Sequence, residues 1–228
     1  MVGHPPIMQV AVLFSGGKDS AYALHCALTN GFDVGELLVL KPSDPASWLF
    51  HVPGEEAHRS FEELTGIPVK VVETGSEELK TLREEFRRLK EEGYYGVYTG
   101  ALLSDYQRIN YNQAAYSEGL VLFSPLWRKN QEEYMRHLAA SGFTYTLLTI
   151  TAEGLPPELL GAEIGEEEVE RIISLSRRFG FNPSFEGGEA ETLILSAPLF
   201  RKRLQVEGEV EELGPASYRL QIREVRVL

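Results

Sequence analysis

The strongest chemical signal in this 228-residue chain is the run Ser15-Gly16-Gly17-Lys18-Asp19-Ser20, set between an apolar stretch and a helix-like one. Glycines leave backbone N–H groups open to an approaching anion, because no Cβ stands in the way. The N-terminus of the following helix adds partial positive charge and unpaired donors. Ser15 and Ser20 can offer hydroxyl donors, and Lys18 can screen phosphate charge. Asp19 is the odd member. A carboxylate beside a phosphate repels it unless a cation lies between, so Asp19 reads as a Mg²⁺ contact or as a group that holds the loop by hydrogen bonds. The run is neither the GxxxxGK[ST] loop nor GxGxxG. The plain alternative is a strand-to-helix turn capped by Asp or Ser.

Two further stretches carry polar groups at places where chemistry is done. Glu186, Glu189 and Glu191 surround the Gly187-Gly188 pair and run into Thr192 and an apolar segment. Such carboxylates can attract a cation, bind Mg²⁺, or act as a general base. The three roles stay open at this level, beside the plain reading of a solvated acidic turn before a strand. In "TGALLSDYQR" (99–108), Thr99-Gly100 ends a strand and Ser104 is placed to cap the next helix. Arg108, one turn into that helix, could grip a phosphate or a carboxylate with two donors, or lie on a solvated face.

The elements needed to position these residues are legible from periodicity. Apolar runs at 8–15, 34–41, 67–74, 94–100, 120–127 and 143–151 read as strands. They alternate with helix-like runs at 21–31, 54–66, 74–93, 104–119 and 130–142. In the third of these, Leu79, Leu82, Phe86 and Leu89 make one apolar stripe, and Thr74 with Glu77 has capping-box spacing. Alternation of this kind is the pattern of βαβ units. The fold class expected is therefore α/β, a Rossmann-like parallel sheet flanked by helices that binds ligands at the C-terminal strand ends. After residue 151 the rhythm changes to one helix (166–180) and then to the alternation of antiparallel strands, with a turn at Gly214-Pro215. Residues 1–151 are expected as the α/β domain that carries the Ser15–Ser20 run, and 152–228 as a smaller α+β region that carries the acidic stretch.

Bulk properties narrow the partners. The chain has 22 basic against 34 acidic residues, a net charge of −12, which repels a phosphate backbone and an anionic membrane surface. No nucleic acid and no membrane is expected as a partner. A single cysteine, Cys26, allows neither an internal disulfide nor a cysteine-based zinc site, and suits a reducing cytoplasm. The histidines at 4, 25, 51, 58 and 137 show no metal-ligand spacing. His51 follows the second strand-like run and could approach the site, beside the plain reading of a structural or surface residue. The oligomeric state is open, a homodimer included.

The Ser15–Ser20 run resembles the SGGxDS loop of the N-type ATP pyrophosphatases, the adenine-nucleotide alpha-hydrolase-like or PP-loop group. "TGALLSDYQR" and "EGGEAETLILSAPLF" (186–200), with "SPLW" (124–127), "EYMRHL" (133–138) and the weaker "LGAEI" (160–164), resemble the diphthine–ammonia ligase family over nearly the whole chain. That resemblance implies a cytoplasmic carbon–nitrogen ligase that uses ATP and Mg²⁺. It would adenylate the carboxylate of diphthine on elongation factor 2, release pyrophosphate, and let ammonia displace AMP. It places ATP on Ser15, Gly16, Gly17, Lys18, Asp19, Ser20 and Gly100. It places the acceptor on Ser104, Tyr106, Gln107, Arg108, Glu186, Gly187, Gly188, Glu189, Glu191 and Thr192. Lys18, Asp19, Arg108 and Glu189 are the catalytic candidates. The chain departs from the family pattern at Phe185 and Arg128, where glycines are usual, and at Asn110, Asn112, Ala162, Ala190 and Ser196. These departures lie away from the phosphate loop and bear on the acceptor. The alternatives are the same chemistry on another acceptor, or a nucleotide sensor without turnover.

Overall fold

Strand β1 (Gln9–Leu13) lies at the middle of a parallel sheet with the order β3-β2-β1-β4-β5. The other strands are β2 (Asp33–Lys41), β3 (Val69–Glu73), β4 (Gly96–Thr99) and β5 (Val121–Phe123). The structure, a computed structural model, describes residues 8–43 and 57–228. His51 and the start of the helix expected from residue 54 lie outside that range. By its contacts the chain divides into two compact units. The first comprises residues 1–15, 22–52 and 67–127, and the second 16–21, 53–66 and 128–228.

In the first unit the sheet carries helices α1 (Lys18–Thr29, from Tyr22 onward), α3 (Glu78–Glu91) and α4 (Asp105–Ser117) in the order the alternation predicts. The apolar stripe of α3 does what its spacing requires. Leu82, Phe86 and Leu89 are fully buried and pack with Ala11, Leu38, Val97 and Tyr111. Arg88, on the same helix, ties Glu36, Glu85 and Glu92 together. The helix does not start at Thr74. Its first residue is Glu78, after Glu77, because the Thr74 backbone N–H donates to the Lys41 carbonyl and extends the β3 ladder. A residue spent on the sheet cannot also cap a helix. The strand order reverses direction between β1 and β4, where Leu13 pairs with Thr99. Such a switch point opens a crevice beyond the carboxyl ends of the strands, and Ser15 and Gly100 follow directly in the chain.

The second unit is built on an antiparallel sheet, β7-β6-β9-β8: β6 (Thr144–Ile150), β7 (Ala190–Ser196), β8 (Leu204–Gly214) and β9 (Ser217–Val227). Alternation up to residue 151 predicts that β6 extends the parallel sheet. Instead it pairs with β7 and β9. A strand buried along most of its length has the same composition in either kind of sheet, so its apolar run could not distinguish them. Helices α2 (His58–Thr65), α5 (Gln131–Ala140) and α6 (Glu166–Phe179), with a 3₁₀ turn at Pro157–Leu159, complete the unit. Asn130 caps α5 by accepting from the Glu133 N–H at 3.1 Å, and Gly66 ends α2 in the left-handed conformation. The hairpin turn falls at Pro215-Ala216, between Gly214 and Ser217. β8 is the sheet edge and exposes Glu207, Glu209, Glu211 and Glu212, charges that discourage pairing with a further strand.

Candidate active site

Gly16 sets the shape of the loop. Its φ of +84° suits glycine, and a Cβ there would come within 2.6 Å of the Phe61 ring. Its carbonyl accepts from the Ile194 N–H at 2.9 Å, which stitches the loop to β7. A second stitch runs from the Lys18 N–H to the Thr192 hydroxyl at 3.2 Å. Ser20, also buried, donates its hydroxyl to the Gly17 carbonyl at 3.0 Å and closes the first turn of α1. The loop Gly16–Ser20 and the strand that follows the acidic stretch are thus parts of one construction in the second unit, although about 170 residues separate them.

Lys18 is 1 % exposed. A lysine ammonium has three donors. Here they reach Asp19 Oδ1 at 3.0 Å, Asp19 Oδ2 at 2.8 Å and the Ser184 carbonyl at 2.8 Å. The Phe185 ring lies under the ammonium, 5.6 Å away at its centroid. Asp19 accepts a further bond, 2.7 Å long, from the Tyr134 hydroxyl of α5. Burial pushes the Tyr134 hydroxyl well above the usual tyrosine range, and the Asp19 charge adds to this, so it remains a donor. Tyr145 on β6 is fully buried and raised for the same two reasons, in the same order.

The acidic stretch has its own internal order. Glu189 folds back over the loop: Oε1 accepts from the Asn182 N–H at 2.9 Å and Oε2 from the Gly187 N–H at 2.8 Å. A Cβ on Gly187 would lie 2.7 Å from that carboxylate, so the glycine makes room for it. Thr151 fastens the far side, donating its hydroxyl to the Gly188 carbonyl at 2.6 Å and its N–H to the Glu189 carbonyl at 2.8 Å. Thr149 accepts from the Glu191 N–H at 3.0 Å. Glu186 and Glu191 are half-buried. Phe185 is buried with φ +68°, and Arg128 is exposed with φ +55°. Both are left-handed positions, a conformation that suits glycine better than a side chain.

The remaining candidates lie in the first unit. Thr99 ends β4 and accepts from the Ala101 N–H at 3.3 Å, with Gly100 between them. Ser104 caps α4, accepting from the Gln107 N–H at 3.3 Å. Tyr106 is half-exposed on the first turn. Arg108 stacks on Trp127, its guanidinium 4.5 Å from the ring centroid. Asn110 and Asn112, which stand where the family tends to show arginine and glutamate, donate to the Tyr106 and Arg108 carbonyls of their own helix at 2.8 and 3.0 Å.

Sequence reasoning singled out Lys18, Asp19, Thr192 and Glu189 and missed Tyr134, Ser184, Asn182 and Thr151. Tyr134 lay within a stretch already seen to resemble the family, but a tyrosine at helical spacing reads as core. Ser184 contributes a backbone carbonyl, for which no side-chain signal exists. Among the described residues no group of three or more His, Cys, Asp or Glu could hold a metal ion. Both Asp19 oxygens already accept hydrogen bonds, from the Lys18 ammonium and the Tyr134 hydroxyl.

Comparison with known proteins gives the family. A model of the diphthamide synthase N-terminal domain matches residues 8–122, and one of the diphthamide synthase C-terminal domain matches residues 130–223. The chain is 33% identical over 223 residues to a rat protein named diphthine–ammonia ligase, covering 88% of this chain and 83% of that one. The human protein of the same name is 31% identical with the same coverage. The Schizosaccharomyces pombe protein of that name is 31% identical over 86% of this chain, which matches 36% of its length. With both of its halves matched in order, the chain belongs to the diphthamide synthase family.

Proposed function

We propose that this protein is an ATP-dependent ligase that amidates the carboxylate of diphthine on elongation factor 2, with ammonium as the nitrogen source. The observation that carries the reading is Lys18. It is a 1 % exposed ammonium at the head of a helix, in a glycine turn, within a chain of the diphthamide synthase family. A buried cation at a helix N-terminus is suited to the charge that develops on a departing pyrophosphate.

The acceptor carboxylate attacks the α-phosphorus of ATP. The bond to the β-phosphate oxygen breaks, pyrophosphate leaves, and an acyl-adenylate forms. Ammonia then attacks the acyl carbon and AMP leaves. Lys18 gives up one of its resting partners and meets the phosphate charge, while Asp19 keeps the local charge balanced. Arg108 is proposed to contact phosphate or carboxylate, held flat by Trp127. Glu189 is proposed to act through the loop it shapes, and Glu186 and Glu191 to attract the quaternary ammonium of diphthine. Mg²⁺, where bound, would neutralise phosphate charge.

The test measures AMP and pyrophosphate with ATP, Mg²⁺, ammonium and diphthine-bearing elongation factor 2. Release that requires the acceptor, and an amide that requires ammonium, are expected. Release that proceeds equally well without the acceptor would contradict the proposal.

A further inference from the structure

Resting on that reading, we infer that Tyr134 is a positioning residue for the phosphate lysine. It anchors Asp19, so that Lys18 moves alone when a nucleotide arrives. At rest the ammonium is saturated by two contacts to Asp19 and one to the Ser184 carbonyl. An anion can recruit it only by breaking one of these. The contact to the neutral carbonyl is the weaker one, since it lacks the attraction between opposite charges that the Asp19 contacts add. Lys18 therefore releases Ser184 first and keeps Asp19.

That exchange requires Asp19 to stay where it is. Its side chain is about one-quarter exposed, and besides the mobile lysine it accepts from the Tyr134 hydroxyl at 2.7 Å. Tyr134 is 2 % exposed and sits on α5, whose start is capped by Asn130. It is the rigid end of the chain Tyr134–Asp19–Lys18–Ser184. Without the hydroxyl, the aspartate is free to follow the ammonium or turn to solvent, and the lysine loses the pivot that aims it.

The experiment is a double-mutant cycle on pyrophosphate release, with Tyr134→Phe, Asp19→Asn and both together. Tyr134→Phe is expected to raise the KM for ATP by about ten- to a hundred-fold, the range for losing one hydrogen bond to a charged group, with kcat within about threefold. In the Asp19→Asn background the same change is expected to move KM less than about twofold, because Tyr134 acts through Asp19. An unchanged KM in Tyr134→Phe, or equal effects in both backgrounds, overturns the inference. A second measurement uses the unaltered chain. The Tyr134 hydroxyl proton should stay protected from exchange when a non-hydrolysable ATP analogue binds, and loss of that protection also overturns it. A wild-type chain that binds no ATP overturns the functional reading and this inference together. Normal ATP use with Tyr134→Phe indistinguishable from wild type overturns this inference alone.

Discussion

Lys18 and Asp19 illustrate how a functional pair can be costly to the fold. With the ammonium 1 % exposed, its stability depends on Asp19 and Ser184. Asp19→Ala should destabilise the protein by about 3 kcal/mol in urea unfolding, because a buried charge loses its partner. The double change Lys18→Met with Asp19→Leu should recover most of that loss, since a buried ion pair is often replaceable by apolar groups, while abolishing ATP cleavage. If the double variant is no more stable than Asp19→Ala, the pair is not isolated in the way described. Phe185 and Arg128 give a second contrast. Both hold left-handed backbones, which cost a non-glycine residue about 1–2 kcal/mol. Arg128→Gly on the exposed surface should raise stability by up to about 1 kcal/mol. Phe185→Gly gains the same relief but gives up a buried ring and the contact under Lys18, so it should lower stability by about 1–3 kcal/mol. A parallel rise in both variants would show that the Phe185 ring contributes nothing.

At the scale of elements, caps and ion pairs can be separated from chemistry. Ser104 accepts from the Gln107 N–H at the start of α4, so Ser104→Ala should cost about 1 kcal/mol of stability. If Ser104 only caps, the KM for the acceptor will not change; a rise would add a substrate contact. Glu85 governs an acid response in the sheet-covering helix α3. Burial alone would raise its carboxyl, but hydrogen bonds from Lys70 and Arg88 outweigh burial and hold it below the ordinary value. A carboxyl lowered in the folded state contributes stability above its unfolded value, about pH 4.3, and loses it as pH falls through the folded value. Glu85→Gln should therefore flatten the loss of stability below about pH 4.3, and an acid limb identical to wild type would contradict this. The elements themselves were legible where one face is apolar, as in α3, or where a cap has a distinctive side chain, as at Ser104 and Asn130. Two features escaped. β6 is buried along most of its length, so nothing in its composition says which sheet it joins. Thr74 had the spacing of a cap but was drawn into the β3 ladder, and hydrogen bonding across strands is invisible in a local pattern.

For the whole molecule, the two glycine-rich stretches were recognisable separately, while their connection was not. Lys18 meets the Thr192 hydroxyl through its N–H and the Ser184 carbonyl through its ammonium, and no spacing rule reports contacts between residues about 170 positions apart. Within the second unit these bonds bring the loop Gly16–Ser20 and the acidic loop together, with the Lys18 ammonium on the Ser184 carbonyl. The net charge of −12 disfavours nucleic acid, and among the described residues no helix is long and apolar enough to cross a membrane. The central claim is that this chain converts a carboxylate of diphthine into an amide at the expense of ATP. Its most direct test is mass spectrometry of diphthine-bearing elongation factor 2 after incubation with the protein, ATP, Mg²⁺ and isotopically labelled ammonium. The account predicts one labelled nitrogen at the diphthine carboxyl, formed together with AMP and absent with Lys18→Met. ATP cleaved to AMP with the diphthine carboxyl left unlabelled would contradict it.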